Sequence, residues 1–174
     1  QGARGEDEGG DFHIENVKEE LDFDNEFFFD KNTHELFLVF NGTGAPPSSG
    51  VVVPTLKTLV NATATQWAPV ENVTLQNLRF VAARTTYMDP HGVPSAGDWA
   101  LDRVAAVFLQ GTKNTHVKGC EFDRLDGNAL MLSGFNRDAS ITDSDFSYVG
   151  GNAVASWGFT NETETDPGRP GIVL

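Results

Sequence analysis

The sequence is poor in cysteine, and Cys120 is the only one in its 174 residues. A single cysteine cannot form a disulfide within the chain, so the fold must be stabilised without one. Cys120 and Phe122 alternate in a pattern that turns both side chains to the same side of a strand. We therefore expect a buried free thiol here rather than a nucleophile.

Basic residues are also scarce, with 12 lysines and arginines against 25 aspartates and glutamates and a net charge of −13. Binding of nucleic acid without regard to sequence needs a basic surface, so no nucleic-acid partner is expected. The same charge disfavours unaided binding of a polyanionic glycan. Ca²⁺ is the one cofactor that could reverse this, because carboxylates and carbonyls bind hard cations. No Asp-rich calcium motif is clear, and we assign no metal ligands.

No apolar run approaches the roughly 20 residues of a membrane helix, so no membrane span is expected, and no signal-peptide pattern is visible. The chain begins at Gln1, and its last residues, Ile172-Val173-Leu174, resemble the start of another strand. A strand left unfinished would expose an edge that proteins normally cover. We therefore expect a fragment whose partner is the remainder of a longer chain or an assembly.

What the sequence does contain is an internal repeat between Thr115 and Gly158, with equivalent residues 24 positions apart. Val117, Cys120 and Phe122 recur as Ile141, Ser144 and Phe146, and Gly127-Asn128-Ala129-Leu130 recurs as Gly151-Asn152-Ala153-Val154. An earlier copy is split, with its first half at residues 75–80 and its second half at 106–109. Repetition at a fixed period of this length is typical of a solenoid.

Within each repeat, apolar residues alternate, lose phase at two polar residues and then resume alternation. Gln76 and Asn77 break the phase in the first copy. This pattern predicts a strand, a sharp bend and a second strand. We expect Phe80, Phe122 and Phe146 to stack in one interior column, and Asn128 and Asn152 to form a structural asparagine ladder.

Residues 117–134 and 141–158 resemble the coils of the pectin-lyase-like β-helix family, with the pattern x-V-x-I-x-N-x-x-F … D-G-N-A-I-x-L-x-G. The resemblance covers roughly residues 70 to 158. It implies an all-β fold, a right-handed parallel β-helix. It implies less about activity, because the family includes lyases, hydrolases, epimerases, adhesins and phage spikes.

The sequence divides into residues 1–50 and 51–174. The first part is an acidic lead-in followed by a short helix over 12–21 and a β-hairpin around Asp30–His34, which together could cap the open end of the solenoid. The second part holds the β-helix coils, with an insertion at about 84–102, and we expect it to be a fragment of a longer β-helix. Such insertions emerge on one face of a solenoid, often the binding face.

Charged residues cluster at the root of this insertion. Residues needed to build a coil should recur in every repeat, and these charges do not recur in the next one. The candidate catalytic residues are His91, Asp98, Asp123, Arg124 and Asp126, with Asp89, Asp102 and Arg103 in the same constellation. Paired carboxylates can divide acid and base roles in glycoside hydrolysis. The alternative is structural, with Asp98 capping a turn and Arg103/Asp102 and Arg124/Asp123 as ion pairs that hold the insertion.

Outward positions of the last strand form columns of apolar and aromatic residues. Phe108 aligns with Met131 and Ala155, and Gln110 aligns with Ser133 and Trp157. Such side chains can stack on sugar rings, or they can be covered by another part of the chain. The candidate substrate-binding residues are Trp99, Arg103, Phe108 and Trp157.

Four sequons, at Asn41, Asn61, Asn72 and Asn161, suggest a secreted glycoprotein. Two functions remain open. The first is an extracellular polysaccharide-processing enzyme of hydrolase, lyase or epimerase type, and the second is a non-catalytic secreted module that is structural or binds carbohydrate. In both, the partner is a polysaccharide or another glycan.

Overall fold

The structure is a computed structural model that describes residues 14–46, 48–90 and 102–159. The chain forms two compact units, Gln1–Val51 and Val52–Leu174. His91, Asp98, Trp99 and Asn161 lie outside the described residues, so their predicted roles stay predictions.

The first unit contains an antiparallel hairpin of β1 (Phe27–Asp30) and β2 (Glu35–Leu38), as the sequence predicts. Asp30 stabilises its turn, because one carboxylate oxygen accepts the backbone N–H groups of Asn32 and Thr33. The predicted helix over 12–21 is wrong for the residues described, which form a single 3-10 turn at Lys18–Glu20. No side chain caps this turn, and Asn16 just before it has a left-handed φ of 58°, so a longer helix has no start signal. No cap is evident in the described residues.

The second unit is built from parallel strands in three sheets. Its strands in chain order are β3 (Val60–Thr63), β4 (Val70–Glu71), β5 (Thr74–Gln76), β6 (Arg79–Val81), β7 (Val107–Lys113), β8 (His116–Lys118), β9 (Glu121–Leu125), β10 (Leu130–Arg137), β11 (Ser140–Thr142), β12 (Asp145–Val149) and β13 (Val154–Trp157). Sheet 1 has the order β13-β10-β7-β3, with β4 also paired to β7; sheet 2 is β11-β8-β5 and sheet 3 is β12-β9-β6. Strands β3 to β6 form the first repeat, β7 to β9 the second and β10 to β12 the third.

Each strand pairs with the strand at the same position in the next repeat. In sheet 2, Leu75 is in register with Val117 and Val117 with Ile141. The predicted all-β class is confirmed, and the stacking is compatible with a β-helix or another solenoid. It places equivalent residues of successive repeats roughly 4.8 Å apart.

The predicted column of phenylalanines is confirmed. The ring centroids of Phe80 and Phe122 are 4.9 Å apart, and those of Phe122 and Phe146 are 4.6 Å apart. Phe122 is fully buried, in a core that also contains Cys120 as the expected buried free thiol. The aromatic stack therefore lies in the core of the second unit.

The bends between sheets 2 and 3 explain the break in the apolar alternation. Asn77, Gly119 and Asp143 occupy this bend in successive repeats, with φ values of 54°, 61° and 51°. Glycine, asparagine and aspartate adopt this left-handed conformation at lower cost than other residues. The predicted asparagine ladder also forms, because Asn128 Oδ1 accepts the backbone and side-chain N–H groups of Asn152 at 2.9 and 3.0 Å.

Repeats differ in length at one position of sheet 1. Residues 64–69 of the first repeat, which contain a Thr65–Ala68 bridge, stand opposite the single Gly111 of β7. In β10, Gly134 and Phe135 together take that place, so the register shifts between Ser133 and Asn136. Hydrogen bonding to β7 continues on both sides of these additions.

Replacing Phe122 by alanine tests the central role of the stack. The Phe122→Ala variant should lose about 3–5 kcal/mol of unfolding free energy, because a fully buried ring leaves a cavity between two stacked rings. Phe146→Ala should lose less, since Phe146 is only partly buried. Urea denaturation measures both, with Phe27→Ala (63 % exposed) as the control. Equal losses at Phe122 and Phe27 would contradict the packing described here.

Candidate functional site

A cluster of charged side chains lies on the outer side of sheet 3, beside the phenylalanine column. Asp123 is at its centre and is only 4 % exposed. Its Oδ2 accepts a hydrogen bond from Arg79 Nη2 at 2.7 Å and another from Arg124 Nη1, and its Oδ1 accepts one from Ser147 Oγ at 3.2 Å. Three repeats therefore contribute to one carboxylate site.

Arg79 joins this carboxylate to a second one. Its Nε lies 3.0 Å from Glu121 Oε1, so Arg79 pairs with Glu121 and Asp123 at once. The two arginines and two carboxylates of the cluster cancel in formal charge. Arg79 and Arg124 remain more than half exposed, so they can still donate hydrogen bonds to a ligand.

The electrostatics keep Asp123 ionised. Burial alone would raise its pKa, but the hydrogen bonds from Arg79 and Ser147 and the positive charges of Arg124 and Arg79 outweigh burial and lower it. A carboxyl with a lowered pKa rarely holds the proton that a general acid must donate. The arrangement thus agrees with the ion-pair alternative for Arg124 and Asp123, and the catalytic roles predicted for both remain untested.

Tyr148 extends the cluster toward solvent. Its side chain is 77 % exposed, and the guanidinium carbon of Arg124 lies 5.2 Å from its ring centroid. Both residues have left-handed backbones, with φ of 51° at Arg124 and 50° at Tyr148. Ala82, at the equivalent position of the first repeat, has the same conformation with φ of 59°, so this is a bend that recurs in three successive repeats.

A second cluster holds the start of the insertion. Arg84 forms a two-pronged pair with Asp89, at 3.2 Å from Nη1 to Oδ1 and 2.9 Å from Nη2 to Oδ2, and Lys57 Nζ lies 3.7 Å from the same carboxylate. The hydrogen bonds from Arg84 lower the pKa of Asp89. Asp89 therefore acts as an ion-pair partner in this structure.

The two ends of the insertion meet at Thr86 and Asp102, and they contact the second repeat at the Asp126 backbone and the Asn128 side chain. The Thr86 hydroxyl donates to Asp102 Oδ2 at 2.7 Å, and the Thr86 backbone N–H donates to the carbonyl of Asp126 at 3.3 Å. A Cβ on the adjacent Gly127 would lie 2.7 Å from Thr86 Oγ1, so this close approach favours glycine. The side chain of Asp126 is exposed beside this junction.

Arg103, predicted to bind substrate, is buried and contacts the chain itself. Its guanidinium donates to Ser133 Oγ at 3.1 Å and to the carbonyls of Trp157 and Gly158 at 3.0 and 3.2 Å. It also lies over the ring of Phe159, with its guanidinium carbon 4.7 Å from the centroid. Arg103 thus ties the residues before β7 to the end of β13.

Two outward side chains on the central strands of sheet 1 are buried rather than open to solvent. Phe108 is 7 % exposed and Met131 is fully buried, in a cluster with Ala105 against which Ala155 and Trp157 pack. Contact between the Phe108 ring and a sugar would require covering residues to move. The substrate-binding roles of Phe108 and Trp157 remain predictions.

Four residues of interest were not identified from the sequence. Arg79, Ser147 and Tyr148 complete the site around Asp123, and Trp67 is 87 % exposed in the turn at 65–68. Arg79 and Ser147 could have been found by aligning outward positions of the repeats, because Arg79 is in register with Glu121 and Ser147 with Asp123. Tyr148 could have been found in the same way, because it follows Arg124 by 24 positions and so occupies the equivalent position of the next repeat.

Comparison with known proteins yields no match to a family model, a curated protein or a solved structure. Among the residues that the structure describes, no group of three or more His, Cys, Asp or Glu side chains could hold a metal ion, so Ca²⁺ gains no ligand set there. Within the same residues, no helix is long and apolar enough to cross a bilayer.

The lowered pKa of Asp123 predicts a pH dependence of stability. Its ion pairs stabilise the fold above the pKa of the unfolded carboxyl, about 3.9, and this contribution is lost as the pH falls through the lower pKa of the folded state. Urea denaturation from about pH 7 to about pH 3 should therefore show wild type losing its advantage over Asp123→Asn on acidification. Asp145→Asn, an exposed substitution on the same sheet, controls for one lost charge. A constant gap between wild type and Asp123→Asn would refute this role.

Proposed function

We propose that this chain contains a secreted right-handed parallel β-helix of the pectin-lyase-like kind, and that it binds a glycan at the outer face of sheet 3. The observation that carries the proposal is the exposed Tyr148 ring beside Arg124 and the ionised Asp123. An exposed aromatic ring offers an apolar face to a sugar ring. Guanidinium and carboxylate groups next to it can hydrogen-bond sugar hydroxyls.

Rigidity and charge narrow the class of ligand. Three stacked strands hold the polar groups, so little side-chain freedom is lost when a ligand binds. Arg79 and Arg124 are balanced by Glu121 and Asp123, and the chain carries a net charge of −13. A neutral polysaccharide suits this surface better than a polyanionic one, because no uncompensated positive charge is available in the cluster.

Removing the Tyr148 ring should weaken glycan binding without affecting the fold. Tyr148→Ala should lower the affinity for a neutral polysaccharide about 2- to 10-fold, the range expected for losing an aromatic contact worth 0.5–1.5 kcal/mol. Affinity electrophoresis against a panel of neutral polysaccharides identifies a ligand, and calorimetry measures its affinity. Phe23→Ala, which removes an exposed ring from the first unit, is the matched control. The proposal fails if no neutral polysaccharide in the gel retards the protein, or if Tyr148→Ala binds like wild type.

The second candidate function is glycan processing at the junction of the insertion. The Thr86 hydroxyl donates to the Asp102 carboxylate and the Thr86 backbone N–H donates to the Asp126 carbonyl, so both acidic residues contact Thr86 at the corner where the insertion begins and ends. Two carboxyl groups roughly 5 to 10 Å apart are what glycoside hydrolysis requires. This observation favours Asp126 and Asp102 as the acid-base pair, in place of Asp126 and Asp123.

Catalysis at this corner predicts that Asp126→Asn abolishes turnover while the circular dichroism spectrum and the unfolding midpoint stay at wild-type values. Reducing-end release and the absorbance of unsaturated uronates report hydrolysis and elimination across a polysaccharide panel. Asp143→Asn is the control, because it changes an aspartate at a left-handed bend that asparagine also tolerates. Equal turnover by wild type and Asp126→Asn would exclude Asp126 as a catalytic residue. If wild type binds a polysaccharide without turning it over, the processing function is wrong and only the binding function stands.

A further inference from the structure

The first repeat presents three edge strands. Strands β3, β5 and β6 are each the terminal strand of their sheet, and no strand in the described part of the chain pairs with their outer edges. Unpaired backbone groups on such edges recruit strands from other chains, and proteins normally block them. Two of the sequons, Asn61-Ala62-Thr63 and Asn72-Val73-Thr74, lie in this same repeat.

Asn61 lies on β3 with its side chain exposed on the outer face, in register with the outward Phe108. Thr63 is two residues further along the strand, so both side chains point the same way. The Thr63 hydroxyl donates to Asn61 Oδ1 at 2.6 Å. This contact engages the amide oxygen and leaves the amide nitrogen to carry a sugar.

Asn72 is exposed in a left-handed bend just before β5, with φ of 59°. Its Oδ1 accepts a hydrogen bond from Asn114 Nδ2 at 2.7 Å. Asn114 Oδ1 lies 2.8 Å from His116 Nε2, and His116 Nδ1 lies 2.7 Å from Ser140 Oγ. This chain of contacts crosses three repeats and ends at Asn72, where it engages the amide oxygen rather than the amide nitrogen.

We infer that Asn61 and Asn72 carry N-linked glycans that shield the edges of β3 and β5, an inference that rests on the extracellular location proposed above but not on glycan binding. In the transfer, the amide nitrogen attacks the anomeric carbon of an oligosaccharide held on a lipid diphosphate. The new C–N bond replaces the C–O bond to the diphosphate, the lipid diphosphate leaves, and the nitrogen gives up one proton. A bulky hydrated chain at each position then obstructs the approach of another strand.

Occupancy is tested on the full chain secreted behind an added leader from glycosylating eukaryotic cells. An amidase that converts each glycosylated asparagine to aspartate is applied in heavy-oxygen water, and peptide mass spectrometry locates the label. Label at both Asn61 and Asn72 is expected. A secreted protein that is unlabelled at either position would overturn the inference for that strand.

The shielding role is tested by deleting both sequons through Thr63→Val and Thr74→Val, which keep β-branched residues on the strands and leave Asn72 in its bend. Light scattering should detect larger species in this double variant and in enzymatically deglycosylated wild type. Thr43→Val, which deletes the Asn41 sequon of the first unit, should stay like wild type. Wild type and double variant made in bacteria without glycans should associate equally, which separates loss of glycans from the valine side chains.

The inference is wrong if neither the double variant from secreting cells nor deglycosylated wild type associates more than glycosylated wild type. It is also wrong if the bacterial proteins differ as much as the secreted ones do. Polysaccharide binding by the same samples is measured separately. If the samples do not bind polysaccharide but the glycans still prevent association, the proposed function is wrong and the inference about shielding stands.

Discussion

Parallel strand pairing in one fixed register is the constraint on which the second unit depends. A slip of one residue would exchange the inner and outer faces of a strand, and Phe122 would then point to solvent while Asp123 would enter the core. Stacked rings in sheet 3 and left-handed bends at Asn77, Gly119 and Asp143 together oppose such a slip. The interior is thus specified by shape as well as by hydrophobicity.

The same register assembles the candidate site. Alternation along β9 places Phe122 inside and Asp123 outside, and pairing with β6 and β12 brings Arg79 and Ser147 to the Asp123 carboxylate. The cluster is therefore a product of stacking rather than of any local motif. The carboxylate of Asp123 is thus held in place by hydrogen bonds from the first and third repeats.

The sequence was sufficient to predict features that recur from repeat to repeat. The phenylalanine column and the asparagine ladder could be predicted because both follow from the 24-residue period, and the burial of Cys120 followed from its alternation with Phe122 along one strand. Features that occur once were harder. The pairing of Arg79 with Asp123 joins residues 44 positions apart in the chain and depends on side-chain reach, which no periodic pattern encodes. The helix predicted over 12–21 also failed, because apolar spacing indicates a face but does not supply a cap.

The uneven length of the repeats opposite Gly111 has a consequence for how such a chain can change over time. This position of sheet 1 holds six residues in the first repeat, one glycine in the second, and a glycine and a phenylalanine in the third. The strand pairs with β7 on either side of it are kept. Additions at this position therefore leave the strand pairing on both sides in place. Surface segments such as the turn bearing Trp67 can be lengthened, shortened or exchanged there, so new recognition surfaces can arise on an unchanged scaffold.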